Sequence, residues 1–293
     1  MALDTTAASP GVAPRVLMLT ALAMLAFAGN SILCRLALKT TSLDAASFTA
    51  LRLISGALML WLLVVLRHPR RRMGGSWRGA AALFVYAFAF SLAYRAIDAG
   101  TGALLLFGAV QVSMLLYGFL RAERLGLVAG AGLAVALAGL LAMLLPGATA
   151  PAWMPASLML ASGVAWGVYS LLGRGGADPL AATAGNFMRA IPLVILACLP
   201  YAPSLHWDGR GAGYALVSGA LASGVGYAIW YSAVRQLPAL KAATVQLSVP
   251  ILATLAGIVL LDEPLTWRLA LCSVAVLGGV GLVLASKQRV ARQ

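Results

Sequence analysis

Long apolar stretches alternate with short polar breaks along the whole chain. Each stretch is about twenty residues long, which is enough for a helix to cross the ~30 Å hydrocarbon core of a membrane. The composition agrees, because 62% of the residues are hydrophobic and 10% are charged, whereas soluble domains are about 45–50% apolar. The pattern predicts an all-α polytopic membrane protein with ten transmembrane helices, which begin near Arg15, Asp44, Trp77, Thr101, Glu123, Trp153, Pro179, Gly209, Pro238 and Leu265.

The distribution of basic residues predicts the orientation. With ten spans both termini lie on one side, and fourteen Lys and Arg residues fall on that side against five on the other. Because cytoplasmic loops are enriched in these residues, we expect both termini in the cytoplasm. The net charge of +13 is then explained by helix ends and anionic lipid, without a nucleic-acid partner. The abundance of Ala and Gly and the preference for Arg over Lys favour a bacterial inner membrane.

The chain repeats itself at the level of residues. A shift of 139 places "AFAGNSILCR" (26–35) over "AWGVYSLLGR" (165–174), and a shift of 140 places Glu123 over Glu263. We therefore predict two repeats of five helices, 15–147 and 152–287, with a disordered cytoplasmic tail at 1–14 and a second tail at 288–293. Because five is odd, the second repeat enters the membrane from the opposite side, so the repeat is inverted.

Several of these features together resemble the EamA type of the drug/metabolite transporter superfamily. An arginine lies early in the second helix of each half (Arg52, Arg189), and an aromatic residue lies in the first helix of each half (Phe27, Trp166). The ending "LPALKAATVQLSVPILATLAGIVLLDEPLTWRLALCSVAVLGGVGLVL" is also similar. The resemblance covers nearly the whole chain and implies a transporter of two five-helix halves. The most similar subgroup is the aromatic amino-acid exporters.

Polar and aromatic positions inside the spans are the candidates for a substrate route. Pro250 has no N–H, so the carbonyl of Gln246 loses its helical partner, and a polar kink is predicted there. Gln111 occupies a comparable position on the corresponding helix of the first half. For each aromatic residue ordinary packing is the alternative. The predicted substrate-binding residues are Asn30, Tyr86, Phe90, Gln111, Trp166, Tyr169, Tyr227, Gln246 and Ser248.

Arg52 and Arg189 lie inside predicted spans, where an unpartnered arginine costs at least ~2.5–3.5 kcal/mol. We expect a structural role for both, with helix-end carbonyls or the loop acids Asp44 and Asp178 as partners, and a structural role for the Pro250 kink. The alternative is that each guanidinium binds a substrate carboxylate bidentately. A single central site would not need both arginines, because the repeat places them in opposite halves of the membrane.

Function is indicated partly by what the spans lack. All eight acidic residues lie in tails, loops or helix ends, whereas proton-coupled carriers commonly hold an ionisable relay at membrane depth. We expect a secondary transporter, facilitated and uncoupled, that exports small metabolites, above all amino acids including aromatic ones, by alternating access. Two alternatives remain: a carrier of nucleotide sugars or other phosphorylated metabolites, with Lys241 binding the phosphate, and an exporter of drugs or cations.

Enzymatic and metal sites are not indicated by the sequence. The three cysteines lie apart in apolar stretches, the two histidines lie apart in loops, and no nucleotide-binding motif is present. We expect no enzymatic activity, no metal and no cofactor. The expected partners are a small-molecule substrate and membrane lipid, with no nucleic acid, and the functional unit is expected to be a monomer.

Overall fold

The computed structural model describes residues 14–67, 72–120, 126–147, 149–173, 178–237 and 245–290, and helices make up most of them. Nine of the helices in these ranges are long and apolar enough to cross a membrane, and one further apolar helix is shorter. The all-helical membrane fold is thus confirmed. The ten helices are α1 (Pro14–Thr40), α2 (Ala45–Arg67), α3 (Trp77–Tyr94), α4 (Ala99–Leu120), α5 (Leu127–Leu144), α6 (Trp153–Leu172), α7 (Pro179–Cys198), α8 (Gly209–Val234), α9 (Ser248–Leu261) and α10 (Trp267–Val290).

Some boundaries differ from the sequence-based ones. Helix α1 begins at Pro14, the last residue of the predicted first tail, and α10 runs on to Val290, past the predicted boundary at residue 287. The rest of both predicted tails, 1–13 and 291–293, lies outside the described residues, as does the predicted start of the ninth span near Pro238.

Four helices begin at side chains that cap their first turn. Asp44 accepts hydrogen bonds from the backbone of Ala46 and Ser47 at the start of α2. In the same way Ser76 caps α3, Asp178 caps α7 and Asp208 caps α8. Each side chain satisfies N–H groups that have no partner within the helix, so the polar breaks in the sequence set where these spans start.

The helix contacts fit two repeats that correspond from α1–α5 to α6–α10. Under this correspondence the packing of α3 on α6 maps onto that of α8 on α1, and the packing of α4 on α6 maps onto that of α9 on α1. The pairs α2 with α7, α4 with α9 and α5 with α10 map onto themselves. The arrangement therefore has the approximate two-fold relation that the sequence repeat predicts.

Helices α5 and α10 meet at a seam of small residues. A Cβ on Gly132 would lie 2.6 Å from the carbonyl oxygen of Gly279, and a Cβ on Gly279 would lie 2.5 Å from that of Gly132. Only glycine at both positions permits this approach, which brings the two backbones into direct contact. The glycine-rich stretches of the fifth and tenth spans predict such a seam between the halves.

The connections lie at two ends of the helix bundle. The N-face carries the start of α1, the α2–α3 connection and the start of α7, where the N–H of Gly74 donates to the carbonyl of Ala181. The distal face carries the α1–α2, α3–α4, α7–α8 and α9–α10 connections. There the N–H of His206 donates to Asp44, and Arg35 joins α1 to Glu263.

Candidate functional site

A small central cavity of about 20 Å³, room for about one water molecule, lies between α1, α3, α4, α6 and α8. Both predicted repeats contribute to it, since α1, α3 and α4 belong to the first and α6 and α8 to the second. Within the described part of the chain α9 supplies no lining residue. The lining consists of Phe27, Asn30, Ser31, Tyr86, Phe90, Leu106, Phe107, Trp166, Ala222, Ser223 and Tyr227.

Aromatic rings form a continuous wall around this cavity. The ring centroid of Trp166 lies 4.8 Å from that of Tyr86 and 5.3 Å from that of Tyr227. Tyr227 in turn contacts Phe27 edge-on at 5.8 Å, and Tyr86 contacts Phe90 at 5.6 Å. At such distances the rings attract one another beyond simple burial. The cavity is therefore narrow, and the rings must part to admit a solute of any size.

Polar groups line the side of the cavity formed by α1, α3 and α8. The hydroxyl of Ser218 donates to Asn30 Oδ1 at 2.6 Å, and Asn30 Nδ2 donates to the hydroxyl of Tyr86 at 3.4 Å. Ser218 begins a π-helical segment of α8, Ser218–Val225, which also carries Ser223. Single turns of π-helix are rare and occur frequently at functional sites. Here the wider turn lies at the cavity.

Arg52 of α2 lies directly behind this polar side. Its Nη2 donates to the Tyr86 hydroxyl at 2.9 Å, and its Nε donates to Ser223 Oγ at 3.4 Å. The guanidinium carbon lies 4.9 Å from the ring centroid of Phe90, within the range of a cation–π contact. Helix α8 approaches closely because Gly219 faces the carbonyl oxygen of Arg52, where a side chain would collide. Asp44, the partner considered from the sequence, instead caps α2.

Arg189, the repeat counterpart of Arg52, has a different environment. It is half-buried, and its Nη1 donates to the carbonyls of Gly74 at 2.6 Å and Gly185 at 3.0 Å. The bond to Gly74 holds the α2–α3 connection against α7, whereas the bond to Gly185 lies within α7. Backbone carbonyls are the partners that a structural role requires, although the role itself stays a prediction.

An ion-pair network closes the distal face above the cavity. Arg35 of α1 donates to Glu263 Oε1 at 2.8 Å, to Asp98 Oδ1 at 3.1 Å and to the carbonyl of Tyr94 at 2.9 Å. The second oxygen of Glu263 accepts the N–H of Ala99 at 2.6 Å, at the start of α4. One arginine and one glutamate thus join α1, the α3–α4 connection and the α9–α10 connection.

Local geometry brings Glu263 into this network. Asp262 adopts a left-handed conformation with φ of 51° directly after α9, which turns the chain back so that the N–H of Glu263 donates to the carbonyl of Gly257. A Cβ on Gly257 would lie 2.7 Å from the Glu263 carboxylate. The carboxylate therefore fits beneath α9 only because residue 257 has no side chain. The repeat counterparts Glu123 and Arg174 lie outside the described residues.

A second, polar depression of about 340 Å³ lies on the N-face. We call it the N-face vestibule. It lies at the start of α1, the end of α2, the start of α7 and the end of α8. Three arginines, Arg15, Arg67 and Arg235, and one acid, Asp178, are among its lining residues. Its surface is consequently positive.

Five of the nine predicted substrate-binding residues line the central cavity, namely Asn30, Tyr86, Phe90, Trp166 and Tyr227. Two others lie nearby without lining it. Tyr169 packs behind Trp166 with a centroid distance of 5.4 Å, and Gln111 is buried in α4, one turn beyond Phe107. The assignment of all nine as substrate ligands stays a prediction.

The remaining two predicted residues, Gln246 and Ser248, lie where the ninth span is interrupted. Gln246 is helical, Leu247 forms a turn, and α9 begins at Ser248. Pro250 therefore lies in the first turn of α9, where its missing N–H has no helical acceptor to lose. Both Gln246 and Ser248 are half-buried, and neither is among the residues that line the cavity.

Other lining residues were not predicted from the sequence. Leu106 and Phe107 lie in α4, whose residues are almost uniformly apolar and buried, so hydropathy cannot separate cavity from core. The sequence gives only a weak signal for Ser223, which lies within the small-residue run "SGALASGV". The signal for the Arg35 network is also weak, because it consists only of the alignment of Arg35 with Arg174 at a shift of 139 residues. Neither signal indicates a contact partner.

Comparisons with known proteins agree with this architecture. The model of the EamA-like transporter family matches residues 153–285. The uncharacterized protein PA1977 of Pseudomonas aeruginosa is 62% identical over 281 residues, which cover 95% of this chain and 98% of that protein. A solved structure named "Crystal structure of protein" shares 21% identity over 92% of this chain and 97% of its own, with a TM-score of 0.64, a likeness that concerns the fold alone. The second half of this multi-pass membrane protein therefore carries an EamA-like transporter family domain, residues 153–285.

Proposed function

We propose that this protein exports small metabolites, above all amino acids including aromatic ones, across the bacterial inner membrane by alternating access, with both termini in the cytoplasm. The observation that carries the proposal is the central cavity, which lies between helices of both repeats and combines an aromatic wall with Asn30 and Ser31. Rocking of two inverted halves exposes such a site to one side of the membrane and then to the other.

The contacts at the distal face support a two-state cycle. The Arg35 network joins α1 to the connections around α3, α4 and α9, so the cavity can open on this side only when these bonds break. One chain encloses the whole cavity, which supports a functional monomer in lipid.

Flux through reconstituted protein tests the proposal. Proteoliposomes should show saturable exchange of a labelled aromatic amino acid in a panel that also contains a nucleotide sugar and a cationic drug.

Trp166→Ala should reduce this flux about three- to tenfold, because the ring-to-ring contacts of the cavity wall are lost. Trp77→Ala is the matched control, since Trp77 is exposed at the start of α3. Flux of the nucleotide sugar or the drug alone would favour those alternatives, and no flux of any solute would contradict the proposal.

A further inference from the structure

Arg52 is the most deeply buried charged side chain among the described residues, at 1% exposure. Both ion pairs formed by these residues belong to Arg35, and Arg52 takes part in neither. Among the buried side-chain nitrogen and oxygen atoms of the described residues, Arg52 Nη1 is the one that has no hydrogen-bond partner. A guanidinium has five N–H donors and no acceptor, so Arg52 retains both an uncompensated charge and an unused donor.

This uncompensated charge adjoins the central cavity. Three side chains that contact the guanidinium, those of Tyr86, Ser223 and Phe90, also line the cavity. The Tyr86 hydroxyl oxygen accepts from Arg52 and from Asn30, which leaves its own O–H free to donate. Because a hydrogen bond from a cation polarises the hydroxyl, that O–H becomes a stronger donor. The wall therefore presents positive charge and a hydroxyl donor to whatever occupies the cavity.

The other lining residues offer no counter-charge. Asn30, Ser31 and Ser223 are neutral, and the remaining lining residues are aromatic or aliphatic apart from the Tyr86 and Tyr227 hydroxyls. In surroundings of low dielectric constant, an opposite charge a few ångströms away interacts strongly. An anionic group in the cavity would satisfy the site, whereas a cation would be repelled.

We propose that Arg52 makes the central cavity a carboxylate-binding site, and that the transported solute carries a carboxylate on a flat apolar body. This inference rests on the proposed transport function and narrows its substrate class. The carboxylate is held at the Tyr86 and Ser223 hydroxyls with the guanidinium directly behind them, and the apolar body lies against Phe27, Trp166 and Tyr227. An α-ammonium group contributes little to binding, because no acid lies among the lining residues.

The positive charge of the N-face vestibule also favours an anionic solute. It contains Arg15, Arg67 and Arg235 with Asp178 as the acid among its described lining residues. Clefts lined by one sign of charge raise the local concentration of the opposite ion. On this side of the protein, anionic solutes should therefore be concentrated.

Arg189 provides an internal comparison for this role. It occupies the equivalent repeat position, but its Nη1 donates to the backbone carbonyls of Gly74 and Gly185. Neither Arg189 nor these two acceptors line the central cavity. Substitution of Arg189 should lower stability without changing which solutes bind. Substitution of Arg52 should change the selectivity itself.

Four probes that share one indole ring test the proposal on the wild-type protein in detergent or nanodiscs. Indole-3-propionate carries only the carboxylate, tryptophan carries both charges, tryptamine carries only the ammonium, and indole-3-propionamide is a neutral isostere of the acid. Titration calorimetry should give affinities for the two carboxylates about tenfold or more above those for tryptamine and the amide. Equal affinities for all four, a preference for tryptamine, or no binding of any probe would overturn the proposal.

Variants then locate the charge that causes the preference. Arg52→Gln should lower the affinity for indole-3-propionate to that of the amide and leave the affinity for the amide unchanged, and Arg52→Lys should restore part of the difference. Arg189→Gln should preserve the carboxylate preference. If Arg52→Gln keeps that preference, or lowers the affinity for acid and amide equally, Arg52 has a structural role only. Should Arg52→Gln fail to fold, Tyr86→Phe, which removes the donor, should lower the preference.

Binding and flux separate this inference from the transport function. Carboxylate-selective binding without carrier-mediated flux would contradict the proposed transport and leave the site intact. Saturable flux that treats tryptophan and tryptamine alike would leave the transport function intact and contradict the carboxylate site.

Discussion

Asp44 shows how a single loop residue can join two connections. It caps α2, and its second oxygen accepts from the Ser47 hydroxyl and from the N–H of His206, which precedes α8. Partial burial raises the pKa of the Asp44 carboxyl, but the hydrogen bonds from Ser47, His206 and Ala46 outweigh it, and the net effect lowers the pKa below its ordinary value. The ionised form therefore stabilises the fold, as expected for a carboxylate that accepts several N–H bonds.

Asp44→Asn should destabilise the protein at neutral pH by about 1 kcal/mol, because the amide can still cap α2 but puts an NH2 group in place of the oxygen that accepts from Ser47 and His206. Because the pKa of Asp44 is lower in the folded protein, its contribution is fully present above the unfolded pKa and is lost as the pH falls through the folded pKa. The difference in melting temperature between wild type and variant should thus shrink on acidification below about pH 4. Asp208→Asn, which affects a cap of α8 alone, is the control. A difference that does not change with pH would contradict this account.

The two arginines at equivalent repeat positions show why equivalence of position does not imply equivalence of role. Arg189 faces the α2–α3 connection, whose Gly74 carbonyl lies within 2.6 Å. Arg52 faces α8, where the π-helical segment presents Ser223. Duplication preserves the arginine, but each copy meets different neighbours, so the partners could not be predicted from the repeat.

At the level of helices, the Arg35 network is the contact that most directly opposes opening of the distal face. Glu263 is 5% exposed and joins α1 to the start of α4, whereas the Asp98 side chain is 42% exposed. Removing one partner of a buried ion pair costs about 3–5 kcal/mol, while exposed pairs contribute about 0–1 kcal/mol. The two acids of the same network should therefore differ in their effect.

Glu263→Gln should shift the protein towards a state that is open at the distal face, because it leaves Arg35 without its buried counter-ion. The measurement is labelling of a cysteine at Ser31, which lines the cavity, by a membrane-impermeant thiol reagent in a background without Cys34, Cys198 and Cys272. Labelling from the distal side should rise about tenfold or more, as a difference above 1.4 kcal/mol implies. Asp98→Asn should leave labelling near the wild-type rate. Equal effects of the two substitutions would show that the network does not close this face.

Across the whole molecule, the sequence predicted the helices better than the contacts of the site. The ten apolar stretches and the 139-residue repeat are strong periodic signals. Tyr86, Trp166 and Tyr227, which line the cavity, could be proposed as candidates because they lie deep in their predicted spans. The position of Glu263 depends on the left-handed turn at Asp262 and the gap at Gly257, and such geometry is invisible to hydropathy. For Gln246, the prediction assumed a helix continuous through Pro250, whereas α9 begins at Ser248.

Energy coupling is likewise a property of the whole molecule. The described residues that line the cavity include no carboxylate, and Glu263 and Asp98 lie at the distal face, paired with Arg35. Proton antiport needs a group in the route that exchanges a proton with both sides, whereas amides, hydroxyls and guanidinium groups do not titrate near neutral pH. We therefore expect the flux of a transported amino acid in proteoliposomes to be unchanged by a pH gradient of one to two units. Uphill accumulation driven by that gradient would contradict the prediction.

Membrane potential should act differently on solutes of different charge. If Arg52 holds a carboxylate and no proton moves with the solute, each indole-3-propionate carries one negative charge across the membrane, whereas zwitterionic tryptophan carries none. One charge in a potential of 100 mV corresponds to about 2.3 kcal/mol, or a concentration ratio of roughly fifty at equilibrium. A potassium diffusion potential, positive inside, should therefore drive accumulation of indole-3-propionate in proteoliposomes and leave tryptophan at equal concentrations. Liposomes without protein measure passive entry of the acid. Two results would contradict this expectation: accumulation of tryptophan, or accumulation of indole-3-propionate no higher than in liposomes without protein. Either result would show that another ion crosses the membrane together with the solute and changes the net charge that is moved.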